Sequence, residues 1–146
     1  MSGKKLPSQT LHQASCVLLD GIAILIEGEP GSGKSSLALA LIERGAVLIG
    51  DDGVLLSLRE GKIWASPPPN ISGKMEVRNL GLIDLPVCEG PVGLVLRLSA
   101  DAPRYIDHPP KIMLLGQQVT VIELFPDTYA LPMRAHWAVR KYASID

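Results

Sequence analysis

The stretch Gly28-Glu29-Pro30-Gly31-Ser32-Gly33-Lys34-Ser35 constrains this chain more than any other part of it. Glycines at 28, 31 and 33 open backbone conformations closed to other residues, so successive N–H groups can turn inward on the concave side of a loop. The apolar run Ile22-Ala23-Ile24-Leu25-Ile26 leads into it. Residues 36–44, mostly good helix formers, lead out towards Gly45, which suits a left-handed helix end. Strand, loop and helix in that order, with the spacing G-x-x-x-x-G-K-[ST], describe a loop that holds anionic oxygens. The helix starting near Lys34 adds its positive dipole end and unpaired N–H donors. In this setting Lys34 bridges β- and γ-phosphates and the Ser35 hydroxyl ligates Mg²⁺. The loop is therefore expected to take a nucleoside triphosphate with magnesium through Gly28, Glu29, Pro30, Gly31, Ser32, Gly33, Lys34, Ser35 and Ser36.

The remaining segments predict a β-rich α/β fold around this unit. Residues 17–19 and 22–27 flank Asp20-Gly21, a hairpin turn pair, so the strand entering the loop is the second arm of a hairpin. Residues 46–50 form a short apolar run of the kind seen in strands buried on both faces, and the run ends in Asp51-Asp52. A second hairpin is expected over 54–59 and 62–65 about Glu60-Gly61, followed by an extended loop at Pro67-Pro68-Pro69-Asn70. Further strands are expected at 81–85, 92–98, 112–115 and 119–124, the last two joined by Gly116-Gln117, and a second helix at 133–142. Many strands and few helices predict a mixed sheet. A chain of 146 residues fits one domain, with about the first ten residues as a flexible N-terminus.

Composition narrows the function classes. With 47% apolar and 20% charged residues the chain reads as globular. A net charge of -1 gives no general attraction to nucleic acid, and the one basic cluster is Arg134, Arg140 and Lys141. No apolar run approaches the roughly 20 residues that cross a bilayer, and Met1 to Pro7 lacks the apolar stretch of a signal peptide, so no membrane partner and a cytoplasmic location are expected. Cys16 and Cys88, the only cysteines, are too few for a disulfide framework or zinc site and are expected to be buried, inert thiols. His108 and His136 have no partners at metal-ligand spacing. No N-K-x-D motif follows the loop, which disfavours a GTPase, and no arginine-rich lid marks a small-molecule kinase.

A loop of this kind requires a second carboxylate to hold the metal, and a group that orients or deprotonates the acceptor. Asp51 and Asp52 are candidates for both roles. Strand neighbours point to opposite sides, but strand ends permit irregular φ/ψ, so both can reach the site. Glu76 and Arg78 stand two residues apart, hence on one face of an extended segment, where an ion pair is worth about 0–1 kcal/mol.

In chain order, His12, the glycine loop, Leu48-Ile49-Gly50-Asp51-Asp52 and Glu76-Val77-Arg78-Asn79-Leu80-Gly81-Leu82-Ile83-Asp84 resemble the catalytic domain of HPr kinase/phosphorylase. That family's signature reads close to E-I-R-G-L-G-I-I-[DN]-[VI], and its second strand ends in A-D-D. The resemblance covers about residues 12–125. It implies a phosphoenolpyruvate-carboxykinase-like P-loop fold and phosphorylation of a serine of the phosphocarrier HPr with ATP and Mg²⁺, reversible by phosphorolysis. It also implies a homo-oligomer, hexameric in many members. Position by position it implies Lys34 on the phosphates, and Ser35 with Glu76 near the metal. Asp51 becomes the Walker-B-like acid and Asp52 the proton acceptor from the substrate serine. His12 lies beside the pair, one residue out of register. The chain departs from the family at Ser36, where an acidic residue is usual. It departs again at Met113-Leu114-Leu115-Gly116-Gln117-Gln118, which stands in place of an arginine-rich loop close to P-V-R-P-G-R-N. Arg104 could replace that arginine only if folding brings it there. The N-terminal domain of long members is not matched, so the chain looks like the short, single-domain form. The missing arginine supports a second reading, a nucleotide-sensing module that binds ATP and a phosphocarrier with little or no catalysis.

Overall fold

Asp20 and Gly21 both adopt positive φ, 54° and 79°, and fold two apolar runs into the hairpin of β2 (Ser15–Leu19) and β3 (Ile22–Gly28). Primed turns of this hand match the twist of the strands they join. The computed structural model describes residues 8–127 and 129–145. Beyond β3 the glycine loop leads into α1 (Lys34–Glu43), then β4 (Val47–Gly50), which returns antiparallel to β2. Glu60 and Gly61, again at positive φ, join β5 (Val54–Arg59) to β6 (Lys62–Ser66), and β1 (Gln9–His12) pairs outside β5. Of the leader expected over about 1–10, residues 1–7 lie outside those described, and Gln9 and Thr10 already belong to β1.

The long strand β9 (Gly90–Leu98) runs parallel to β3. It is also parallel to β11 (Gln117–Leu124), which forms a hairpin with β10 (Lys111–Leu114). The resulting nine-stranded sheet runs β1-β5-β6-β9-β3-β2-β4, with β10 and β11 attached to β9. Parallel strands at the centre with antiparallel flanks make it the mixed sheet that the element order predicts. A separate two-stranded unit consists of β7 (Lys74–Val77) and β8 (Gly81–Asp84), and α2 (Leu131–Tyr142) closes the described chain.

Why β3 is apolar at consecutive positions follows from burial on both faces. Ile24 and Ile26 pack with Leu37 and Leu41 of α1 and with Ala135 and Val139 of α2. Ala23 and Leu25 enter a second cluster with Val54, Leu56, Ile63 and Val121, because the sheet curls until β5 and β6 cover its other face. Each such Ile, Leu or Val side chain, fully withdrawn from water, contributes about 1.5–3 kcal/mol. Cys16 is buried in the second cluster, and burial pushes its thiol pKa up; Cys88 is half-buried and is also raised, mainly by desolvation. No helix among the described residues is long and apolar enough to cross a membrane.

Three local expectations need correction. The β10–β11 turn is Leu115-Gly116, at φ 49° and 80°, so β11 begins at Gln117. Helix α2 starts earlier than 133, with Pro132 in its first turn, where the missing N–H costs nothing. The extended segment through Glu76 and Arg78 is broken after Val77: Leu80 N–H donates to the Val77 carbonyl at 2.9 Å, and Asn79 takes φ 76°. Arg78 therefore lies in the turn, and no ion pair joins it to Glu76.

Candidate functional site

The loop sits where β3 gives way to α1, and its glycines are used as their spacing predicts. Gly31 and Gly33 have φ of 81° and 102°. A Cβ on Gly28 would collide with Ser32 Oγ and press on Leu98. Gly33 caps α1 without any side-chain hydrogen bond, and the first turn carries no acidic residue. The first N–H groups of the helix are thus left without side-chain acceptors, and the positive end of the helix is not neutralised. Lys34 folds back so that Nζ donates to the Gly28 carbonyl at 2.9 Å, which holds the ammonium over the loop.

Asp51 is brought to the same place by the β2–β4 pairing. Ser35 Oγ donates to Asp51 Oδ1 at 2.7 Å, and Ser15 Oγ donates to the same oxygen at 3.0 Å. Ser15, at the start of β2, is fully buried. Its hydroxyl also lies 3.5 Å from the Asp52 backbone N–H, a weak contact that ties the Asp-Asp turn to β2. Asp52 adopts φ 59° and is exposed, so the two aspartates diverge because the strand ends at Gly50. A Cβ on Gly50 would run into the Gly53 carbonyl oxygen, so glycine is required for the turn to fold back over the strand end.

On the lower side of the loop Glu27 joins two other elements. His12 Nε2 lies 2.7 Å from Glu27 Oε2, and Arg97, the β9 partner of Glu27, donates to Oε1 at 2.9 and 3.3 Å. The His12 hydrogen bond, helped by Arg97, holds the Glu27 carboxyl below the usual carboxylate range against the opposing effect of burial. His12 is thus hydrogen-bonded to Glu27, and to neither aspartate. Glu76 is exposed on β7, with no hydrogen bond or ion pair among the described residues.

The residues fit a magnesium nucleotide. Uncapped N–H groups and an ammonium suit phosphate oxygens, and Ser35 with Asp51 presents two adjacent hard oxygen donors. Among the described residues no group of three or more His, Cys, Asp and Glu side chains gathers to hold a metal. Mg²⁺ does not need one, because it keeps waters and substrate phosphates as ligands.

Residues 4–91 match the family described as HPr Serine kinase C-terminal domain. The chain belongs to this family. The HPr kinase/phosphorylase of Clostridium tetani is 49% identical over 89 residues, and that of Bordetella petrii 47% over 85. These alignments take in 60% and 57% of this chain but 28% and 27% of those proteins, so the chain spans little more than a quarter of the curated relatives it matches. The structure of the Hpr(Ser) kinase/phosphatase from Coxiella burnetii superposes with a TM-score of 0.80 at 30% identity, covering 90% of this chain and 88% of that one. The mixed α/β architecture is therefore the one the HPr serine kinase C-terminal domain adopts. The family match stops near the start of β9, while the structural likeness covers nine-tenths of the chain.

The sequence reading singled out none of Ser15, Glu27 and Arg97. The only signal for Ser15 and Arg97 is a polar residue next to or within an otherwise apolar strand, Ser15-Cys16-Val17-Leu18-Leu19 and Leu94-Val95-Leu96-Arg97-Leu98.

Proposed function

We propose that this chain is an ATP- and Mg²⁺-dependent serine kinase domain of the phosphoenolpyruvate-carboxykinase-like P-loop type. It acts on an HPr-like phosphocarrier and, in reverse, by phosphorolysis. The observation that carries this reading is the 2.7 Å hydrogen bond from Ser35 to Asp51, which unites the glycine loop with the Asp-Asp turn. Loop N–H groups and Lys34 bind the terminal phosphates, and Ser35 and Asp51 hold the metal with Glu76 contributing from β7. When bound, Mg²⁺ neutralises charge on the phosphoryl oxygens. Asp52, exposed at the mouth, accepts the proton of the incoming serine hydroxyl. His12, which the resemblance sets beside the aspartate pair, is held by Glu27. The names of the relatives support the carrier as partner, and the family likeness supports a cytoplasmic, hexameric enzyme.

Titration calorimetry with ATP and Mg²⁺, joined to mass spectrometry of an HPr-like phosphocarrier, tests this. Lys34→Ala is expected to abolish binding. Asp52→Asn is expected to keep nucleotide affinity and lose transfer, and continued transfer by that variant refutes the role of Asp52.

One observation favours a second reading. The β10–β11 connection is a two-residue turn, and no arginine occurs between Arg104 and Arg134, so no cationic loop reaches over the site from there. A module that binds ATP and the phosphocarrier with little or no catalysis fits that feature, and in the same assay it shows nucleotide binding with no phosphoserine.

A further inference from the structure

With β3 on one side of β9, two other strands share its opposite side. β6 pairs only with its start, Trp64 opposite Pro91 and Ala65 opposite Gly90. β11 pairs only with its end, from Val121 opposite Val95 to Leu124 opposite Leu98. Lys62 and Ile63 of β6 are therefore paired to β5 alone, and Gln117 to Thr120 of β11 to β10 alone. Between these two half-paired edges the sheet forks, and a cavity of about 480 Å³ opens beside Pro91, Val92 and Gly93. It lies at the opposite end of β9 from Leu98, the register partner of Gly28, and so stands apart from the glycine loop. We propose that this fork is a docking slot for an extended, acidic segment of a partner protein, which adds there as a short strand. The inference goes beyond the nucleotide reading and does not depend on it.

Three observations support it. Main-chain N–H and C=O groups along a strand edge without a neighbour are a template for an added strand. The chain's own backbone already makes one such contact: Ser144 N–H donates to the Gly93 carbonyl at 3.1 Å, so the segment after α2 borders the slot. Size is the second observation. By the usual rise and spacings of sheet strands one residue fills about 160 Å³, so the cavity takes about three. The third is charge. Lys62 on one wall and Lys111 on the other are exposed and have no acceptor among the described residues, against the single carboxylate of Glu60. Two unpaired ammonium groups attract acidic side chains and repel basic ones. Beneath them Ile63 and Val119, both part of the second core cluster, give the slot an apolar floor. A strand that alternates acidic and apolar residues meets both surfaces, because its side chains point alternately to opposite faces.

Amide NMR spectra of the whole isotope-labelled chain at low ionic strength test this. The probes are an acetylated, amidated tetrapeptide of alternating glutamate and valine, and the same peptide with lysine in place of glutamate. The acidic peptide is expected to shift the amides of Lys62, Ile63, Gln118 and Val119, to leave those of the glycine loop unmoved, and to bind about tenfold or more tightly than the lysine peptide. The double variant Lys62→Glu/Lys111→Glu is expected to reverse that preference. Both lysines are exposed and unpaired among the described residues, so its melting curve should match that of the wild type. Absence of shifts at the slot, or equal shifts with both peptides in both proteins, overturns the proposal and leaves the lysines as guards of an open edge. Slot amides that move on dilution of the free protein overturn it in favour of a second copy of this chain as the occupant.

Discussion

Replacing Ser15 by alanine tests whether a side chain outside every motif holds the site together. The hydroxyl is fully buried and donates at 3.0 Å to Asp51, so water cannot take its place. A net hydrogen bond to a charged group is worth about 1.5–3 kcal/mol. Asp51 keeps its second donor, Ser35 at 2.7 Å, and the 3.5 Å contact to Asp52 N–H adds little. The expected loss is therefore near the middle of that range, about 2 kcal/mol. For a chain of this size that lowers Tm by roughly 6–8 °C. Thermal and urea unfolding followed by circular dichroism measure it. Because Ser15 and Ser35 donate to one oxygen, the Ser15→Ala/Ser35→Ala double variant should lose more than the sum of the singles, since the second removal leaves Asp51 Oδ1 without either donor. A loss below about 0.5 kcal/mol, the scatter expected of an ordinary surface substitution, or simple additivity refutes the claim that these hydroxyls jointly position Asp51.

Gly50→Ala places a methyl group against the Gly53 carbonyl, so stability should fall by about 1–3 kcal/mol and Mg²⁺-dependent nucleotide binding should weaken as Asp51 is displaced. An unchanged melting curve contradicts the described turn. Glu27→Gln should destabilise the protein at neutral pH. Because the folded Glu27 pKa lies below its ordinary 4.5, the carboxylate contributes stability above that value, and the contribution is lost as pH falls through the folded pKa. The difference in Tm between wild type and variant should therefore shrink on acidification below 4.5, and a difference that stays constant through that range argues against the His12–Glu27–Arg97 cluster.

Much of the local fold around the loop was legible residue by residue. The glycine loop, the helix after it, and the hairpins about Asp20-Gly21 and Glu60-Gly61 are written in short windows, because positive φ and side-chain periodicity are properties of a residue and its immediate neighbours. The same reasoning placed the β10–β11 turn one residue late. Leu115 carries a positive φ there that no leucine propensity favours, and the pairing of Lys111–Leu114 with Gln117–Leu124 imposes it. It also missed β1, whose exposed Gln9 and Thr10 are held by pairing with β5 and not by burial.

By itself the sequence determined the glycine loop between β3 and α1 and the turn at Asp51-Asp52, since both depend on contiguous residues whose chemistry and spacing allow few alternatives. Tertiary structure alone decided that Ser15 sits under Asp51, that Arg97 crosses to Glu27 from 70 positions away, and that β6 and β11 leave a fork beside β9. Those contacts form only when distant strands pair, and which strands pair is set by the burial of both sheet faces together, a sum over the whole chain that no local window contains.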